Sequence, residues 1–324
     1  MDNNWNLSLD PQRIAVIKIW DAMMKGARDY VFEKNFIEIC NAPEVVSQTG
    51  ACENVDTLFK LNYFGKKAYL AQSDQLYIEL LTPQLKKVYA VIQSFRAEEE
   101  ADPRHLTQFT LLELEMLGGL DDLIVEISGT VKAMVDRVLL TCIDELKLLG
   151  RDPEDLRNLS FCRITYESAI HMLNDGTFPE LVFGDDLKSE HEAELASYFG
   201  PVFITHYPEE IKFFNMKVNE KDSRVVNSTD LILPFSGEST GASERETDYI
   251  LLRDKLIKSV MYARLLELGH TYEDFLWYLN AHEGKEIPVH SGCGIGVARV
   301  AQYIIGKDDI RECVPFLLNS ENLL

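Results

Sequence analysis

The sequence contains no uninterrupted apolar run long enough to cross a lipid bilayer. Its first ten residues, MDNNWNLSLD, show neither the basic start nor the apolar core of a secretory signal. The six cysteines are scattered, without a CxxC pair or a spacing typical of zinc sites. These absences argue against a membrane-spanning helix and against a disulfide framework, and we expect a cytoplasmic protein with reduced thiols.

Basic residues are scarce, because 32 lysines and arginines stand against 53 acidic residues and leave a net charge of −21. A protein that binds a long nucleic acid usually carries a basic face, since binding neutralises phosphates. The acidic balance therefore disfavours extended nucleic-acid contact, although it is compatible with a small basic patch on an acidic body.

Internal repeats, low-complexity segments and linkers rich in proline, glycine or serine are also absent. The 324 residues are 46% hydrophobic, which is enough to bury one large core. We therefore predict a single domain over residues 1–324, in which a small inserted lobe would fall at about 150–200.

Periodicity predicts helices and hairpins rather than a repeated strand–helix–strand pattern. Asp10 precedes Pro11 as a helix cap, and Phe64-Gly65 marks a turn between two short strands. The predicted helices cover 11–35, 121–149, 248–268 and 272–282. The predicted strands cover 36–40, a hairpin over 58–72, 202–205, 212–218 and 229–234. Because hairpins dominate, the expected fold class is α+β, an antiparallel β-sheet flanked by helices.

The stretch SFRAEEEADPRHLTQFTLLELE, residues 94–115, is the most informative segment of the chain. Side chains two apart on a strand share a face, so Arg96 and Glu98 are predicted to point the same way. On the following strand the same rule groups the ring of Phe109 with the carboxylates at 113 and 115. An antiparallel hairpin would then present a cation, an aromatic plate and carboxylates together. Such a surface suits a nucleotide that lies beside an amino acid.

A second cluster lies in TDLILPFSGESTGASERE, where Asp230 and Glu238 stand eight apart and would share a face on a continuous strand. Two carboxylates beside a triphosphate are natural magnesium ligands, because Mg²⁺ prefers oxygen donors and binds together with phosphates. Gly237 and Gly241 let the backbone approach a ligand closely, and Arg245 follows the glutamate by seven residues. The segment predicts a magnesium–nucleotide site.

A third segment, SGCGIGVARV, contains Gly292, Gly294 and Gly296 before Arg299, which stands at the start of a predicted helix. Glycine-rich turns and helix N-termini favour phosphate. A dinucleotide-binding fold is not predicted, because no strand–helix–strand unit with a ribose-binding acid follows. The segment is therefore predicted as a phosphate-binding turn.

The three segments resemble the catalytic core of class II aminoacyl-tRNA synthetases, within the aspartyl and asparaginyl branch. Residues 94–115 resemble motif 2, the segment around Asp230 resembles the metal-binding strand of asparaginyl enzymes, and SGCGIGVARV resembles motif 3. The resemblance spans roughly residues 11–320. It implies a class II catalytic-domain fold, ATP and Mg²⁺ as cofactors, and a homodimer formed through the first long helix.

The resemblance also implies a role for each matching residue. Catalysis is assigned to Arg96, Glu238 and Arg299. ATP binding is assigned to Arg96, Glu98, Arg104, His105, Phe109, Glu238, Gly294, Gly296 and Arg299. Amino-acid binding is assigned to Glu53, Ser73, Gln75, Glu113 and Arg245. Mg²⁺ is assigned to Glu238 and Asp230.

Within these sets the resemblance implies particular contacts. Arg96 would contact the α-phosphate, Phe109 would stack on the adenine, and Arg299 would contact the γ-phosphate. Glu113 would hold the α-ammonium of the amino acid, and Arg245 would contact the far end of that substrate.

Besides Asn54, Val55 and Asp56, which replace small residues after Glu53, two positions depart from the family pattern. Ala298 replaces an acidic residue that usually precedes the motif 3 arginine, which bears on the placement of Arg299 and on catalytic rate. Ile78 stands where aspartate-specific synthetases usually carry a lysine for the substrate carboxylate. Since a buried carboxylate needs charge partners, Ile78 favours the neutral amide of asparagine.

The related synthetases carry an anticodon-binding barrel before the catalytic domain, whereas this sequence begins almost directly at the first long helix. We therefore expect no anticodon-binding domain, as in archaeal-type asparagine synthetases. The predicted function is an ATP-dependent ligase that forms an aminoacyl-adenylate from aspartate or asparagine and passes it to ammonia or another small amine, in asparagine biosynthesis. Two alternatives stay open. One is an asparaginyl-tRNA synthetase paralogue that charges tRNA, a partner that the acidic charge disfavours, and the other is an inactive regulatory paralogue.

Overall fold

The structure, a computed structural model, describes residues 4–47 and 55–323. Eleven β-strands lie within these ranges. They are β1 (Ile37–Glu38), β2 (Val45–Val46), β3 (Lys60–Tyr63), β4 (Lys66–Leu70), β5 (Lys87–Phe95), β6 (Gln108–Leu117), β7 (Cys162–Thr165), β8 (Val202–Thr205), β9 (Ser228–Leu233), β10 (Gly237–Glu244) and β11 (His290–Gly296).

Eight of these strands form one large sheet in the order β1-β5-β6-β11-β10-β9-β8-β7, and β2-β4-β3 form a small second sheet. In the large sheet the five inner pairings are antiparallel. Only the two edges are parallel, where β1 lies beside β5 and β7 beside β8. The predicted antiparallel sheet is therefore confirmed.

Thirteen α-helices occur in the described ranges. They are α1 (Asn4–Leu7), α2 (Pro11–Glu33), α3 (Gln75–Glu79), α4 (Thr82–Leu85), α5 (Leu120–Thr141), α6 (Ile143–Leu148), α7 (Glu154–Arg157), α8 (Tyr166–Asp175), α9 (Ser189–Phe199), α10 (Tyr249–Lys258), α11 (Val260–Glu267), α12 (Leu276–His282) and α13 (Val297–Ile305). None of these helices is long and apolar enough to cross a membrane.

The first long helix forms as its sequence predicts. Asp10 Oδ1 accepts a hydrogen bond from the N–H of Gln12 at 2.8 Å, and Pro11 occupies the first turn, where its missing N–H is not needed. Ile19 and Met23 on its inner face are fully buried and belong to the main hydrophobic core, to which α5 also contributes. This core supports the large sheet.

Two predicted helices and one predicted strand differ from the structure. The helix predicted over 121–149 is interrupted at Cys142, and the one over 248–268 is interrupted at Ser259, whose hydroxyl caps a new helix. Residues 212–218 form only isolated bridges and no strand. Their apolar character has another cause, because Phe213 and Phe214 pack into a core shared with α10 and α12.

The predicted hairpin over 58–72 is confirmed as β3 and β4. Phe64 and Gly65 have φ values of 51° and 82°, and two central residues with positive φ are typical of a type I′ turn. After the hairpin, the carbonyl of Ala71 accepts a hydrogen bond from the N–H of Phe95 at 3.0 Å. This contact places the start of α3 beside the end of β5.

Residues 162–205 add β7, α8, α9 and β8 to one side of the large sheet. Leu173, Leu195 and Val202 form a local core that continues into β9 through Ile232. Helix α9 thereby brings Glu192 close to the start of β10, where its carboxylate accepts a hydrogen bond from a backbone N–H. The segment predicted as an inserted lobe thus extends the sheet and contributes a side chain near its centre.

The segment SGCGIG forms strand β11 and not the predicted turn. It pairs antiparallel with β6 on one side and β10 on the other. Gly294 stands opposite Glu113 in β6 and opposite Gly241 in β10. The glycines were misread because glycine is typical of turns. In the strand, Gly292 leaves room for the side chain of Glu115, and Gly294 leaves space over the sheet centre, where a Cβ would lie 3.8 Å from Gln75 Nε2.

Candidate active site

A cavity of about 400 Å³ opens over the centre of the large sheet. Fourteen of the fifteen predicted site residues line it. They are Ser73, Gln75, Arg96, Glu98, Arg104, His105, Phe109, Glu113, Asp230, Glu238, Arg245, Gly294, Gly296 and Arg299. The fifteenth, Glu53, lies outside the described residues. The individual roles given to these side chains stay predictions, but the residues that the sequence grouped do share one cavity.

The predicted placement of Arg96 and Glu98 on a strand is wrong, because both residues follow the end of β5. The N–H of Arg96 still donates to the Thr107 carbonyl at 2.9 Å, but the N–H of Ala97 turns to the carbonyl of Thr57 at 2.8 Å. The chain therefore leaves the ladder one residue after β5, and both side chains nevertheless reach the cavity.

Arg96 carries an unsatisfied donor. Its guanidinium lies over the ring of Phe109, 5.3 Å from the centroid. Its Nε is buried and has no hydrogen-bond partner among the residues that the structure describes. A buried donor without a partner is unfavourable, so this arrangement indicates a place for an anionic ligand.

The loop between β5 and β6 is shaped by Asp102. Its Oδ1 accepts hydrogen bonds from the N–H groups of Arg104 and His105, at 2.7 and 2.8 Å, and its Oδ2 lies 2.7 Å from His105 Nδ1. Partial burial raises the pKa of Asp102, but these hydrogen bonds outweigh that effect and lower it. The carboxylate thus holds the loop so that Arg104 and His105 face the cavity.

Arg299, in the first turn of α13, joins this loop to the sheet. Its Nη2 donates to the carbonyl of Arg104 at 2.9 Å, and its Nη1 donates to the carbonyl of Ser236. Burial, with the positive charge of Arg104 as a further cause, lowers the pKa of Arg299 to about 10. Crowded cations favour phosphate groups, and the positive charge here is concentrated at one end of the cavity.

Glu192 is a cavity residue that the sequence did not indicate. Its Oε2 accepts hydrogen bonds from the N–H of Glu238 at 3.1 Å and from Arg104 Nη2 at 3.3 Å. Gly237, with φ +70°, leaves no room there for a Cβ beside this carboxylate. Burial raises the pKa of Glu192, and the nearby carboxylate of Glu238 raises it further. A glutamate in an acidic amphipathic helix gives no local signal of such a contact.

Asp230 and Glu238 come together in a way that differs from the prediction. They lie on the neighbouring antiparallel strands β9 and β10, joined by a turn, and not on one continuous strand. A Cβ placed on Gly241 would lie 3.4 Å from Glu238 Oε1 and 3.8 Å from Asp230 Oδ1, so both carboxylates flank this glycine. Asp230 Oδ2 also pairs with Lys212 Nζ at 2.8 Å.

These two carboxylates do not make a metal site by themselves. Within residues 4–47 and 55–323, no cluster of three or more His, Cys, Asp or Glu side chains could hold a metal ion. Mg²⁺ commonly needs only one or two carboxylates when phosphates supply further oxygens. The donor set therefore fits a magnesium ion that arrives with a nucleotide.

The opposite end of the cavity is built around Glu113. Ser73 Oγ donates to its Oε1 at 2.6 Å, and the N–H of Asp74 donates to its Oε2 at 3.1 Å. Burial raises the pKa of Glu113 to about 8. Nearby, Gln75 Nε2 is buried without a hydrogen-bond partner in the described part of the chain. A buried carboxylate and an unpaired donor suit the ammonium and a polar oxygen of an amino acid.

Arg245 forms the floor of this end. Its Nη2 donates to Glu115 Oε1 at 2.5 Å and its Nη1 donates to Ser243 Oγ at 2.9 Å. Glu115 is fully buried and occupies space that a Cβ on Gly292 would fill. Gly292 thus serves to admit this ion pair, a role that its position in a glycine-rich segment did not reveal.

The two positions that depart from the family pattern both lie in apolar surroundings. Ile78 is 1% exposed, packs with Val88, Ala90 and Ile92, and does not line the cavity. Ala298 is 2% exposed and lines the cavity from the first turn of α13. Neither position places a charge in the site.

Comparisons with known proteins identify the class. A family model described as tRNA synthetases class II (D, K and N) matches residues 3–320. The asparagine–tRNA ligase of Thermococcus gammatolerans is 36% identical over 306 residues, which cover 93% of this chain and 68% of that protein. The asparagine–tRNA ligase of Lactobacillus johnsonii is 36% identical over 324 residues, which cover 98% of this chain and 71% of that protein.

The fold agrees with a solved structure of the same kind. The asparaginyl-tRNA synthetase of Pyrococcus horikoshii, in complex with asparaginyl-adenylate, superposes with a TM-score of 0.87 and 36% identity. The match covers 97% of this chain and 70% of that one. The chain belongs to the class II tRNA synthetases, and within them it is similar to asparaginyl members. The predicted fold class and the predicted adenylate-forming ligase are therefore confirmed.

Proposed function

We propose that this chain activates asparagine with ATP, forms asparaginyl-adenylate and pyrophosphate, and transfers the asparaginyl group to tRNA. The observation that carries the choice of amino acid is the ion pair on the pocket floor, where Glu115 Oε1 lies 2.5 Å from Arg245 Nη2. The paired guanidinium can still donate to a neutral carbonyl oxygen, but it offers no surplus positive charge to a second carboxylate. Asparagine therefore fits this pocket better than aspartate.

In the proposed reaction an oxygen of the asparagine α-carboxylate bonds to the α-phosphorus of ATP. The bond from that phosphorus to the oxygen bridging towards the β-phosphate breaks, and pyrophosphate leaves without a proton transfer. Catalysis then consists of positioning and charge neutralisation. Arg96, with its unpaired Nε, would contact the α-phosphate, and Arg299 with Arg104 and His105 would hold the leaving pyrophosphate.

The nucleotide base and the amino acid would bind to separate parts of the cavity. Phe109 would stack on the adenine, and Glu98 would contact its edge. Glu113 would hold the α-ammonium, because its carboxylate is already fixed by Ser73 Oγ at 2.6 Å. The buried and unpaired Gln75 Nε2 would donate to an oxygen of the amino acid.

Magnesium is proposed as the metal that accompanies ATP. Glu238 and Asp230 would hold it together with phosphate oxygens, since both carboxylates flank Gly241. When bound, the ion would neutralise phosphate charge. We expect chelation by EDTA to abolish nucleotide-dependent activity and added Mg²⁺ to restore it.

The acyl acceptor is proposed as tRNA rather than ammonia. Relatives at 36% identity are asparagine–tRNA ligases, and this revises the amide-forming ligase expected from the sequence. An inactive paralogue is disfavoured, because Arg96, Glu238 and Arg299 all line the same cavity.

Two assays test the proposal. The first measures ATP–pyrophosphate exchange with asparagine or aspartate, and we expect exchange with asparagine. The second supplies labelled asparagine and tRNA, or aspartate with ammonium, and identifies the product by mass. Asparaginyl-tRNA is expected, whereas asparagine made from aspartate only with ammonium would restore the amide-forming alternative.

Assembly and location stay proposals as well. We propose that the chain is one catalytic domain in the cytoplasm and that two copies pair through α2 and β1. Phe32 on α2 is 80% exposed and Ile37 on the edge strand β1 is 46% exposed, which supports a covered face. Sedimentation of the purified protein is expected to give twice the chain mass.

A further inference from the structure

Glu79 is a buried acidic residue outside the cavity wall. It is the last residue of α3, one helical turn after Gln75, and is 1% exposed. Its Oε2 lies 3.9 Å from Nε of Arg245, the guanidinium on the pocket floor. Glu79 therefore faces the arginine as a second carboxylate, in addition to Glu115.

Four side chains surround the carboxylate of Glu79. Tyr278 Oη donates to its Oε1 at 2.6 Å, and Asn215 Nδ2 donates to its Oε2 at 3.2 Å. His290 Nε2 lies 3.2 Å and His282 Nε2 lies 3.8 Å from Oε1. Burial raises the pKa of Glu79, but the hydrogen bonds and positive charges around it outweigh that effect and lower it. Its neighbours thus keep this carboxylate ionised.

This second carboxylate is not needed to satisfy Arg245. The guanidinium has five N–H groups, and its bonds to Glu115 and Ser243 engage three of them among the described residues. An ionised Glu115 alone already matches its single positive charge. Burying the carboxylate of Glu79 as a further anion carries a desolvation penalty. Packing alone does not explain why four polar side chains surround this carboxylate.

The charges around the pocket floor favour a neutral side chain. Arg245 contributes one positive charge, and Glu79 and Glu115 each contribute a negative charge when ionised. Hydrogen bonding to Glu79 raises the pKa of His290 in spite of its burial, so this imidazole can supply the balancing charge. With both carboxylates ionised, Arg245 and a protonated His290 together leave no surplus positive charge for a substrate carboxylate.

We propose that Glu79 is a positioning residue that sets the preference of this pocket for asparagine over aspartate. It adds a second negative charge beside Arg245, 3.9 Å from its Nε, beyond the charge that Glu115 already supplies. The two N–H groups of the arginine that bond neither Glu115 nor Ser243 stay available for the amide oxygen. This inference rests on the proposed activation of asparagine and adds the residue that enforces the choice.

The test compares two ligands that differ only at the side-chain end. These are the non-hydrolysable sulfamoyl analogues of asparaginyl-adenylate and aspartyl-adenylate, titrated calorimetrically into the full chain. For Glu79→Gln we expect the preference for the asparaginyl analogue to fall at least about tenfold, which corresponds to about 1.4 kcal/mol. Tyr278→Phe removes one donor to the same carboxylate, so we expect a smaller change in the same direction. It also decides the question if Glu79→Gln does not fold.

Glu126→Gln is the matched control. Glu126 is also a buried carboxylate bonded to a tyrosine and a cation, Tyr30 at 3.0 Å and Lys87 at 2.8 Å, but it does not line the cavity. Its substitution should leave the preference unchanged. An unchanged preference in folded Glu79→Gln and Tyr278→Phe, or a wild-type protein without preference, would overturn the inference. If the preference responds as expected but no exchange occurs, the inference stands and the proposed function fails.

Discussion

Arg96 offers the sharpest test at the scale of one residue, because its buried Nε has no partner in the described ranges. We expect Arg96→Ala to lower ATP–pyrophosphate exchange at least about 10²-fold, the usual effect of removing one donor aimed at developing charge. The control is Arg157→Ala, which removes an exposed arginine paired with Glu154 in α7. Exchange close to the wild-type rate in Arg96→Ala would contradict the assignment.

At Glu113 we expect the stability of the empty protein and its activity to place opposite demands on one side chain. Burial raises its pKa to about 8, above its ordinary value of 4.5. Between these values the folded state holds more protons than the unfolded state, so the stability of the empty protein falls as pH rises through this range. Glu113→Gln removes the cost of burying an ionised carboxylate. We therefore expect it to raise Tm by at least about 2 °C near pH 9 and to change Tm little near pH 5. Asparagine-dependent exchange should be lost.

Thermal unfolding without ligands at both pH values checks this prediction. Glu180→Gln, which neutralises an exposed carboxylate, serves as the control and should not shift Tm. A Tm difference between Glu113→Gln and wild type that is the same at both pH values would show that burial of the charge is not the cause.

Single residues were predictable from the sequence where they lie in a motif with fixed spacing, and fourteen such residues do line the cavity. Glu79 and Glu192 were not, because each contacts the site only through the packing of a helix against the sheet. Gly292 was noticed as part of a glycine-rich segment, but its role depends on Glu115 in the neighbouring strand. Contacts between distant segments leave no local pattern.

At the scale of elements, the turn into β10 is the critical junction between α9 and the sheet. Gly237 has φ +70°, and a Cβ there would collide with Glu192 and approach Arg104 Nη2 at 3.0 Å. We expect Gly237→Ala to lower the free energy of unfolding by more than the roughly 1–2 kcal/mol that a left-handed conformation costs. We also expect it to weaken ATP binding, because the new Cβ displaces the carboxylate of Glu192. Denaturant unfolding and nucleotide titration measure the two effects.

Gly150→Ala separates backbone strain from the collision. Gly150 has φ +84° but would bring its Cβ within 4 Å of no other atom in the described structure. Gly150→Ala should therefore lower the free energy of unfolding only through backbone strain and leave ATP binding unchanged. Equal losses of unfolding free energy in Gly237→Ala and Gly150→Ala would mean that the contact of residue 237 with Glu192 has no energetic role.

Elements with a regular period and a clear cap were predicted well, as for α2 with its Asp10 cap. β11 was missed because its glycines mimic a turn, although in the structure the same glycines lie between two paired strands. The strand predicted over 212–218 was wrong because Phe213 and Phe214 are buried by packing against helices and not by a sheet. In both cases tertiary contacts override local preference.

At the scale of the whole molecule, the cavity joins segments from both halves of the chain, from Ser73 to Arg299. A ligand that fills it should therefore stabilise the entire fold. At 100 times its Kd, the sulfamoyl analogue of asparaginyl-adenylate should add about 2.7 kcal/mol and raise Tm in a single transition. Arg96→Ala should show a smaller shift at the same concentration, whereas an unchanged wild-type Tm at saturation would contradict this coupling.

The fold class and the family were predictable because the three motifs together specify one catalytic architecture. The choice between ammonia and tRNA as acceptor was not, since the cavity described here activates the amino acid before any acceptor arrives. Only the similarity to asparagine–tRNA ligases favours tRNA over ammonia as the acceptor.

The most direct measurement is ATP–pyrophosphate exchange by the purified chain with Mg²⁺ and either asparagine, aspartate or no amino acid. We expect exchange that depends on asparagine and is far weaker with aspartate, because Arg245 is already paired with buried carboxylates. Exchange with aspartate alone, or with neither amino acid, would contradict it.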